Sequence, residues 1–397
     1  MQEVVIVGAA RTPFGLYKGS LADQRSQDLA ACSMKEAVAR AGIDSLKLDV
    51  SIYSEAMQTS LPANVGRHGW LLAGLDENPA GFTMNALCAG ALQTIVSGFN
   101  KIASGEYQGI LAGGVETNSQ APYYIHHPRY HFGSNNLCFH DQKAEVETNA
   151  QPVDIYGKLA AANVADIIAV NNGITRYELD MYTQTSKEKA SQAVKNGFMK
   201  DAITIITKKG KKSEVIVEAD EGLKAFSDID KLISLPAINS GGTSTKGNLA
   251  PLADGSASIV LLSSQRTGEL GCKAMARVLG FGIAAGNPTQ IEKIAIKSMQ
   301  KALNYAGIRM DELDFIDLHE HSAAFSVAVA KMIGASAAGI TNVDGGSLAY
   351  GHAGAATGGA MLVNMLYRLQ RNGARYGLVN VAAYGGQSLS VLIEAIL

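Results

Sequence analysis

The apolar residues follow the same pattern in two segments that are far apart along the chain. Residues 33–56 read SMKEAVARAGIDSLKLDVSIYSEA, and residues 298–321 read SMQKALNYAGIRMDELDFIDLHEH. Aligned without gaps, the segments share Ser, Met, Ala, Ala, Gly, Ile, Leu, Asp and Glu. Their spacing predicts an amphipathic helix that ends at Ala-Gly-Ile, followed by an acidic turn and a buried strand. An internal repeat of this kind indicates a duplicated structural unit.

Two further pairs of segments extend the repeat. CAGA at 88–91 matches HAGA at 352–355, and each opens a predicted helix of small residues. SGEYQGILAGGVE at 104–116 matches NGARYGLVNVAAYGG at 372–386, a turn followed by an apolar strand. The chain is therefore predicted to contain two copies of one βαβαβ unit, which is typical of a layered α/β core.

The repeat also predicts the domain organisation. The N-terminal copy covers 1–118 and is completed by about 251–271, and the C-terminal copy covers 272–397. The residues between them, 119–250, are richer in polar and aromatic side chains and are irregular at their start. We expect this middle part to form a loop domain over the active site.

Composition narrows the function classes. The chain has 397 residues and a net charge of −2, so no basic field favours nucleic acid or an anionic membrane surface. Hydrophobic residues make up 47%, yet no run of ~18 apolar residues predicts a membrane span. The opening MQEVVIVGAARTPFG resembles a first strand rather than a signal peptide. The four cysteines are scattered, which favours a reducing cytoplasm and leaves room for a reactive thiol.

Cys88 is the first candidate for chemistry. It lies in MNALCAGAL, residues 84–92, after an extended segment and before a helix of small residues. A thiol at a helix N-terminus lies near the positive end of the helix dipole and near unpaired N–H groups, which lower its pKa. This position predicts a nucleophile. The alternative is a buried structural cysteine, the commonest role of a free cysteine.

His352 is the candidate base. It lies between glycines in NVDGGSLAYGHAGAATGGA, residues 342–360, and matches Cys88 in the repeat. If the halves pack about a pseudo-twofold axis, the two helix N-termini converge and His352 meets Cys88 as a base meets its nucleophile. The alternative is a histidine that caps a glycine-rich turn. Near the C-terminus, Gly385 and Gly386 predict a tight turn whose N–H groups face a ligand.

Six segments, in order along nearly the whole chain, resemble motifs of the thiolase family. They are VVIVGAARTPFG, NALCAGAL, GGVETNSQAPY (113–123), YGKLAAANVADIIAVNNGITRYELDMY (156–182), GGTSTKGNLAPLADGSASIVL (241–261) and NVDGGSLAYGHAGAATGGA. The resemblance implies a five-layered αβαβα sandwich and acyl transfer on coenzyme A thioesters. It makes Cys88 the carrier of the acyl group and His352 the base that activates it. The family's usual C-x-S-G is Cys88-Ala89-Gly90 here.

Two departures from the thiolase pattern concern proton transfer. The family's second catalytic cysteine, in C-x-G-G-G, aligns with Ala382, which cannot move a proton. The family's N-E-A aligns with His319, Glu320 and His321, whereas the sterol-carrier-protein branch carries H-D-C there and uses that cysteine as acid/base. His321 occupies that cysteine's position, and a neutral imidazole can accept a proton near pH 7. We therefore expect His321 to replace the missing cysteine; the alternative is a satisfied polar side chain.

The resemblance assigns the remaining site residues. His319 would hold a water that stabilises the thioester enolate together with His352, and Glu320 would orient the loop. The backbone N–H groups of Cys88 and Tyr384 would form the second oxyanion hole. Substrate-binding positions are expected at Ser244, Asn248, Ala250 and His131, although Ala250 stands where the family has a serine. The histidines of 123–140 match no standard metal spacing, so no metal site is predicted.

The expected ligands are coenzyme A and acyl-CoA as substrates, with no tightly bound cofactor. By resemblance we expect a cytoplasmic homodimer or homotetramer of fatty acid metabolism, with a partner enzyme conceivable and no nucleic acid. Two alternatives stay open. One is a decarboxylating condensing enzyme like the ketoacyl synthases, since these carry a Cys-His-His set. The other is a catalytically degenerate subunit that binds acyl-CoA within a complex.

Overall fold

The computed structural model describes residues 2–131, 136–210, 213–224 and 228–396. Within these residues the strands are β1 Val4–Arg11, β2 Gly15–Leu16, β3 Val50–Ser54, β4 Ala80–Met84, β5 Gly109–Thr117, β6 Tyr123–Tyr124, β7 His140–Asp141, β8 Ile206–Lys209, β9 Glu214–Val217, β10 Ala253–Ser263, β11 Ala276–Ala285, β12 Phe315–Leu318, β13 Tyr376–Ala383 and β14 Gln387–Ala395.

The helices follow the same numbering along the chain. They are α1 Ser26–Ala41, α2 Val65–Leu72, α3 Gly90–Ala103, α4 Pro128–His131, α5 Gln142–Glu145, α6 Val153–Tyr156, α7 Ala161–Asn171, α8 Arg176–Lys195, α9 Ile229–Ser234, α10 Ser264–Leu270, α11 Ile291–Ala306, α12 Ala323–Ile333, α13 Ala335–Gly339, α14 Ser347–Tyr350 and α15 Thr357–Asn372. No helix of the described residues is long and apolar enough to cross a membrane.

Helices α1 and α11 begin the two halves of the duplicated core, and each ends where the repeat predicts. The residues that follow them, Gly42 and Gly307, have φ angles of 66° and 70°. Glycine adopts this left-handed conformation without a steric penalty, which lets its N–H group cap the helix. Strands β3 and β12 follow after an acidic turn, as predicted.

The sheet joins the two halves edge to edge. Its strand order is β12-β13-β14-β11-β1-β10-β5-β3-β4, with β2 added beside β10. Strands β3, β4 and β5 pair in parallel, as do β12 and β13, and the other neighbours in the sheet are antiparallel. Within the sheet of the described residues, the strands of the two halves pair through β1 and β11, over Val5–Arg277 and Ile6–Ala276. Strand β10 lies between β1 and β5, although it comes after the loop domain in the sequence.

Helices α3 and α15 form the layer between the two half-sheets, and both contact strands of each half. Small residues permit this packing, since a Cβ at Gly359 of α15 would lie 3.0 Å from Ala91 of α3 and 3.2 Å from Ala257 of β10. Helices α1 and α11 cover the outer faces. The resulting five layers confirm the predicted αβαβα sandwich.

A buried serine cluster occurs once in each half. Ser33 of α1 lies within hydrogen-bond distance of Ser256 and Ser258 of β10, at 2.8 and 2.9 Å between the hydroxyl oxygens. Ser298 of α11 contacts Ser388 and Ser390 of β14 in the same way, at 2.9 and 3.0 Å. Since Ser33 and Ser298 open the two aligned segments, the duplication extends to individual side-chain contacts.

One part of the predicted repeat is wrong by three residues. Helices α3 and α15 start at Gly90 and Thr357, and each follows a 3₁₀ turn, Leu87–Ala89 and Gly354–Ala356. Cys88 therefore corresponds to Ala355, and His352 precedes the equivalent position by three residues. The match of CAGA with HAGA is a likeness of composition rather than of structure.

Candidate active site

Cys88 lies in the turn between β4 and α3. The preceding residue, Leu87, has a φ angle of 50°, a conformation that is uncommon outside glycine, and its N–H group donates to Asn85 Oδ1 at 2.9 Å. Two residues after Cys88, a Cβ at Gly90 would lie 2.0 Å from Ser54 Oγ, so only glycine fits there. This close packing holds the buried thiol at the start of the helix.

His352 makes four polar contacts, two through its backbone and two through its ring. Its N–H group donates to Pro251 O at 2.8 Å, and its carbonyl oxygen accepts from Ala253 N at 2.9 Å. In the ring, Nδ1 lies 2.8 Å from Thr357 Oγ1 and Nε2 lies 3.2 Å from Cys88 Sγ. The structure thus brings the predicted nucleophile and base together. If Nε2 accepts the thiol proton, Nδ1 carries a proton and donates to Thr357, a partner that sequence reasoning did not identify.

The electrostatics of Cys88 differ from the expectation. Burial, together with Glu147 and Glu116 nearby, raises the pKa of its thiol to about 12. The predicted lowering by the helix start is therefore wrong: loss of hydration and two neighbouring carboxyl groups outweigh the dipole. Burial, with His319 and His321 nearby, lowers the pKa of His352 well below its usual value. Both partners are neutral at pH 7, so proton transfer between them must accompany attack on a substrate.

His319 and His321 follow β12 and bring two more imidazoles to the site. The ring centres of His319 and His352 are 4.4 Å apart, and those of His319 and His321 are 5.9 Å apart. Burial lowers the pKa of His319 to about 4, and burial beside His319 lowers that of His321 well below its usual value. Neither nitrogen of His321, nor Nε2 of His319, has a hydrogen-bond partner among the described residues.

Glu320 points away from the two histidines that flank it. Its carboxyl oxygens accept from Tyr182 Oη at 2.9 Å, Ser186 Oγ at 2.8 Å, Asn342 Nδ2 at 2.9 Å and the Leu348 N–H group at 3.2 Å. These bonds join the β12 loop to helix α8 and to the glycine-rich loop before α14. This is the geometry of a residue that orients the loop.

The β13–β14 hairpin brings Tyr384 to the pocket. Gly385 and Gly386 have φ angles of 79° and 73°, which close the three-residue turn. The Gly286 N–H group donates to Gly386 O at 2.9 Å, so the turn is held from outside. Ala382 stands where the resemblance expects a second cysteine, and its carbonyl oxygen lies 3.5 Å from His319 Nδ1.

Two of the expected substrate-binding side chains are engaged inside the protein. Ser244 is fully buried and donates to Ala162 O at 3.3 Å. Asn248 is buried and donates from Nδ2 to Asp180 at 3.1 Å. Neither is among the residues that line the pocket around Cys88, and direct substrate contact by these side chains stays a prediction. The backbone N–H group of Ala250 donates a hydrogen bond to His321 O at 3.1 Å. The side chain of His131 lies outside the described part of the structure.

A small pocket of about 40 Å³ adjoins Cys88 and His352. It has apolar walls, and its polar lining includes the carboxyl groups of Glu116 and Glu147, which sequence reasoning did not identify. Glu116 lies in the quoted segment 113–123, but only its burial shows that it faces the thiol. Glu147 lies in the irregular loop domain, where no periodic pattern indicates which side chains point inward.

A second group of polar side chains, which we call the loop cluster, consists of Tyr124, His126, His140 and Glu145. The ligand atoms of the two histidines and Glu145 all lie within 4.8 Å of one another, close enough to share a metal ion. Glu145 already accepts from Tyr124 Oη at 2.5 Å and lies 3.2 and 2.7 Å from the two imidazoles. None of the four lines the pocket around Cys88.

Comparison with protein families identifies two matching models that together span most of the chain. The model described as "Thiolase, N-terminal domain" matches residues 4–265, and that described as "Thiolase, C-terminal domain" matches residues 272–395.

The chain is also similar to individual proteins over nearly the whole length of both sequences. The acetyl-CoA acetyltransferase of Syntrophomonas wolfei is 32% identical over 396 residues, covering 100% of both chains. The beta-ketoadipyl-CoA thiolase of Pseudomonas knackmussii is 33% identical, again covering 100% of both. Among solved structures, the Bacillus anthracis acetyl-CoA acetyltransferase superposes with a TM-score of 0.95 at 29% identity, over 100% of this chain and 99% of that one. Human mitochondrial 3-ketoacyl-CoA thiolase in complex with CoA gives 0.92 at 27% identity, over 100% and 98%.

Proposed function

The chain belongs to the thiolase family, and from this premise we propose that it transfers acyl groups between coenzyme A thioesters through an acyl-enzyme at Cys88. It is a thiolase-type acyltransferase, working by thiolysis of a 3-ketoacyl-CoA or by condensation of two acyl-CoAs. The observation that carries the assignment of the site is the 3.2 Å contact between Cys88 Sγ and His352 Nε2 at the pocket that both residues line.

In the first half-reaction His352 is the base. Its Nε2 takes the thiol proton as Cys88 attacks the thioester carbonyl, and the N–H groups of Cys88 and Tyr384 stabilise the resulting oxyanion. The imidazolium then gives its proton to the departing coenzyme A thiolate, so His352 is neutral again. Because the pKa of the buried thiol is high, little thiolate exists before a substrate arrives.

In the second half-reaction His321 takes the place of the missing cysteine. Burial keeps the imidazole of His321 neutral at pH 7, so a lone pair is available to accept a proton from the α-carbon of the second acyl-CoA. Its pKa is well below the value near pH 7 that the sequence predicted, which makes His321 a weaker base than expected. The enolate attacks the acyl-enzyme carbonyl and Cys88 leaves as a thiolate, and the proton that His321 accepted then returns to the Cys88 thiolate, so both groups are neutral again. His319 supports this step by holding a water with His352, and its partner-free Nε2 favours that role.

Three further assignments complete the proposal. Glu320 orients the loop of β12, and Gly385 and Gly386 shape the turn that presents the Tyr384 N–H group. The chain divides into halves 1–118 with about 251–271, and 272–397, around a loop domain at 119–250, since β10 returns to the N-terminal half-sheet. We also propose coenzyme A as a substrate rather than a resident cofactor, a homodimer or homotetramer, and a cytoplasmic location.

The decisive measurement is coenzyme-A-dependent loss of acetoacetyl-CoA, with Cys88→Ala as the control. Activity that disappears in the control supports the acyl-enzyme. His321→Ala should then abolish thiolysis and condensation while Cys88 is still acylated by acetyl-CoA. If acylation is lost together with turnover in a folded variant, His321 is not the second acid/base.

A second candidate function is decarboxylating condensation. The contact between the rings of His319 and His352 beside Cys88 gives the Cys-His-His set that this chemistry uses. Malonyl-CoA would then be consumed with release of carbon dioxide, measured with labelled substrate. Consumption of malonyl-CoA together with indifference to free coenzyme A would favour this function over thiolysis.

The degenerate-subunit alternative rests on Ala382 and on the high pKa of the Cys88 thiol. It predicts that iodoacetamide alkylates Cys88 slowly and that acyl-CoA does not change the rate of this alkylation. Alkylation that is blocked by prior acylation with acetyl-CoA would exclude it.

A further inference from the structure

Glu147 differs from Glu116, the other carboxyl group that lines the Cys88 pocket, because its carboxyl is only partly engaged. One oxygen, Oε2, accepts from the Ala161 N–H group at 2.9 Å, and this is its only hydrogen bond among the described residues. Glu116, by contrast, accepts at both oxygens, from the N–H groups of Ala56, Met57 and Ala355. Both oxygens of Glu116 are therefore engaged by the protein, whereas one oxygen of Glu147 is available to accept a hydrogen bond from a bound substrate.

Glu147 lines the same pocket as Cys88, the residue that would carry the acyl group. The residue comes from the loop domain, just before Ala150, whose carbonyl oxygen lies 2.7 Å from where a Cβ on Gly385 would be. The segment around Glu147 thus packs on the hairpin that carries Tyr384. Glu147, Cys88 and Tyr384 all line this pocket, and the Glu147 carboxyl contributes to the raised pKa of both other groups.

The rest of this part of the wall is apolar. Met57, Leu87, Val146 and Leu252 line the pocket beside Glu147. A carboxylate that faces an alkyl chain in such a pocket loses water and gains no partner, which is costly. Burial raises the pKa of Glu147 and so disfavours its charged form before a substrate binds. A hydrogen-bond donor on the acyl chain would replace the lost water, favour the carboxylate and form a charge-assisted bond with it. The one cation that acts on Glu147, Lys143, forms no ion pair with it among the described residues.

We propose that Glu147 determines the acyl specificity, so that the pocket prefers a short acyl chain carrying a hydroxyl or ammonium donor over an unsubstituted alkyl chain. This inference rests on the proposed acyl-enzyme at Cys88 and adds a substrate class to it. Sites built to bind a polar substituent discriminate strongly, because the wrong substrate leaves a buried polar group unpaired.

The test compares three acyl groups of nearly the same size: butyryl-CoA, 3-hydroxypropanoyl-CoA and 3-aminopropanoyl-CoA. The rate of Cys88 acylation is followed by intact-protein mass spectrometry, which requires only the first half-reaction. We expect the polar thioesters to acylate the wild-type protein about 10-fold to 100-fold faster than butyryl-CoA, the range typical of a hydrogen bond to a charged group. Comparison of the rates for 3-hydroxypropanoyl-CoA and 3-aminopropanoyl-CoA shows whether a hydroxyl or an ammonium group is the better donor to Glu147.

Two variants locate the effect. Glu147→Leu should reverse the preference and make butyryl-CoA the faster donor. Glu147→Gln should keep acylation by the hydroxyl thioester and lose any advantage of the ammonium one. Glu145→Gln, two residues away in the loop cluster, is the matched control and should leave the preference unchanged; thermal unfolding of each variant shows whether it is folded.

Each outcome decides between the proposals. Equal wild-type rates for the three thioesters, or a polar preference that survives in folded Glu147→Leu, would overturn the specificity proposal and leave the acyl-enzyme intact. If none of the three acylates Cys88 and acetyl-CoA also fails, the acyl-enzyme is refuted, and the specificity proposal falls with it. If acetyl-CoA alone acylates Cys88, the specificity proposal is refuted alone.

Discussion

The hydrogen bond between Thr357 and His352 offers a sharp test of the proposed base. Thr357 is buried at the start of α15, with Oγ1 2.8 Å from Nδ1 of the imidazole. When Nε2 accepts the thiol proton of Cys88, Nδ1 must carry a proton, and the hydroxyl oxygen is its acceptor. Thr357→Val keeps the shape of the side chain and removes that acceptor.

The structure sets the expected size of the effect. A buried donor left without a partner costs about 1 to 3 kcal/mol. Since each 1.36 kcal/mol changes a rate tenfold, acylation of Cys88 should slow by about 5-fold to 150-fold. Much of the penalty applies to the imidazolium, which forms as the thiol loses its proton, so the effect should appear in the acylation rate rather than in acyl-CoA binding.

Rapid mixing with acetyl-CoA, followed by acid quench and mass spectrometry, measures that rate directly. Thr357→Ser restores the hydroxyl and should recover most of the wild-type rate, a rescue that a purely structural role would not require. If folded Thr357→Val acylates as fast as the wild type, the hydrogen bond does not set the tautomer of His352, and the reasoning is wrong.

Three further predictions concern stability and metal dependence. Burial, beside a second buried carboxyl group, raises the pKa of Glu55 to about 8. The folded state therefore binds this proton more tightly than the unfolded state, and stability falls as pH rises from about 5 to 8. Glu55→Gln should raise the melting temperature at pH 8 and flatten its dependence on pH, and an unchanged profile would contradict this reasoning. Arg368 pairs in the interior with Asp317 at 2.7 Å and with Asp344 at 2.6 Å. Arg368→Met should therefore lower the free energy of unfolding in urea by about 3 to 5 kcal/mol, whereas Arg371→Met, at a more exposed position, should lower it by under about 1 kcal/mol. Equal losses of stability would count against a special role for the buried ion pairs. Dialysis against EDTA should leave acyl transfer unchanged, since the loop cluster does not line the catalytic pocket. Activity that is lost on dialysis and restored by zinc would contradict this prediction.

The sequence predicted the elements of the core well because their signals are local. Apolar spacing and the glycines that end α1 and α11 act within a few residues, so a pattern of about twenty positions determines helix, turn and strand. The pairing of CAGA with HAGA failed because small residues recur at many helix starts. Cys88 and His352 nonetheless meet, since the loop before α15 brings His352 beside the 3₁₀ turn of Cys88.

The electrostatics of the site could not be predicted in the same way. The helix start at Cys88 is a local feature and suggested a lowered pKa. The pKa is instead raised, because the thiol is buried next to carboxyl groups 28 and 59 residues away in the sequence, Glu116 and Glu147. Burial is a property of the assembled protein, so a motif cannot report it.

By itself, the sequence determined the duplicated α/β core, the family, and the presence of histidines where a catalytic cysteine is expected. Only the tertiary structure decided that Ser244 and Asn248 are engaged in internal hydrogen bonds, that Thr357 holds His352, and that Glu147 faces the thiol. The physical reason is the range of the interactions involved. Secondary structure follows from neighbours along the chain, whereas the hydration, hydrogen bonds and charges around a side chain depend on segments that folding brings together.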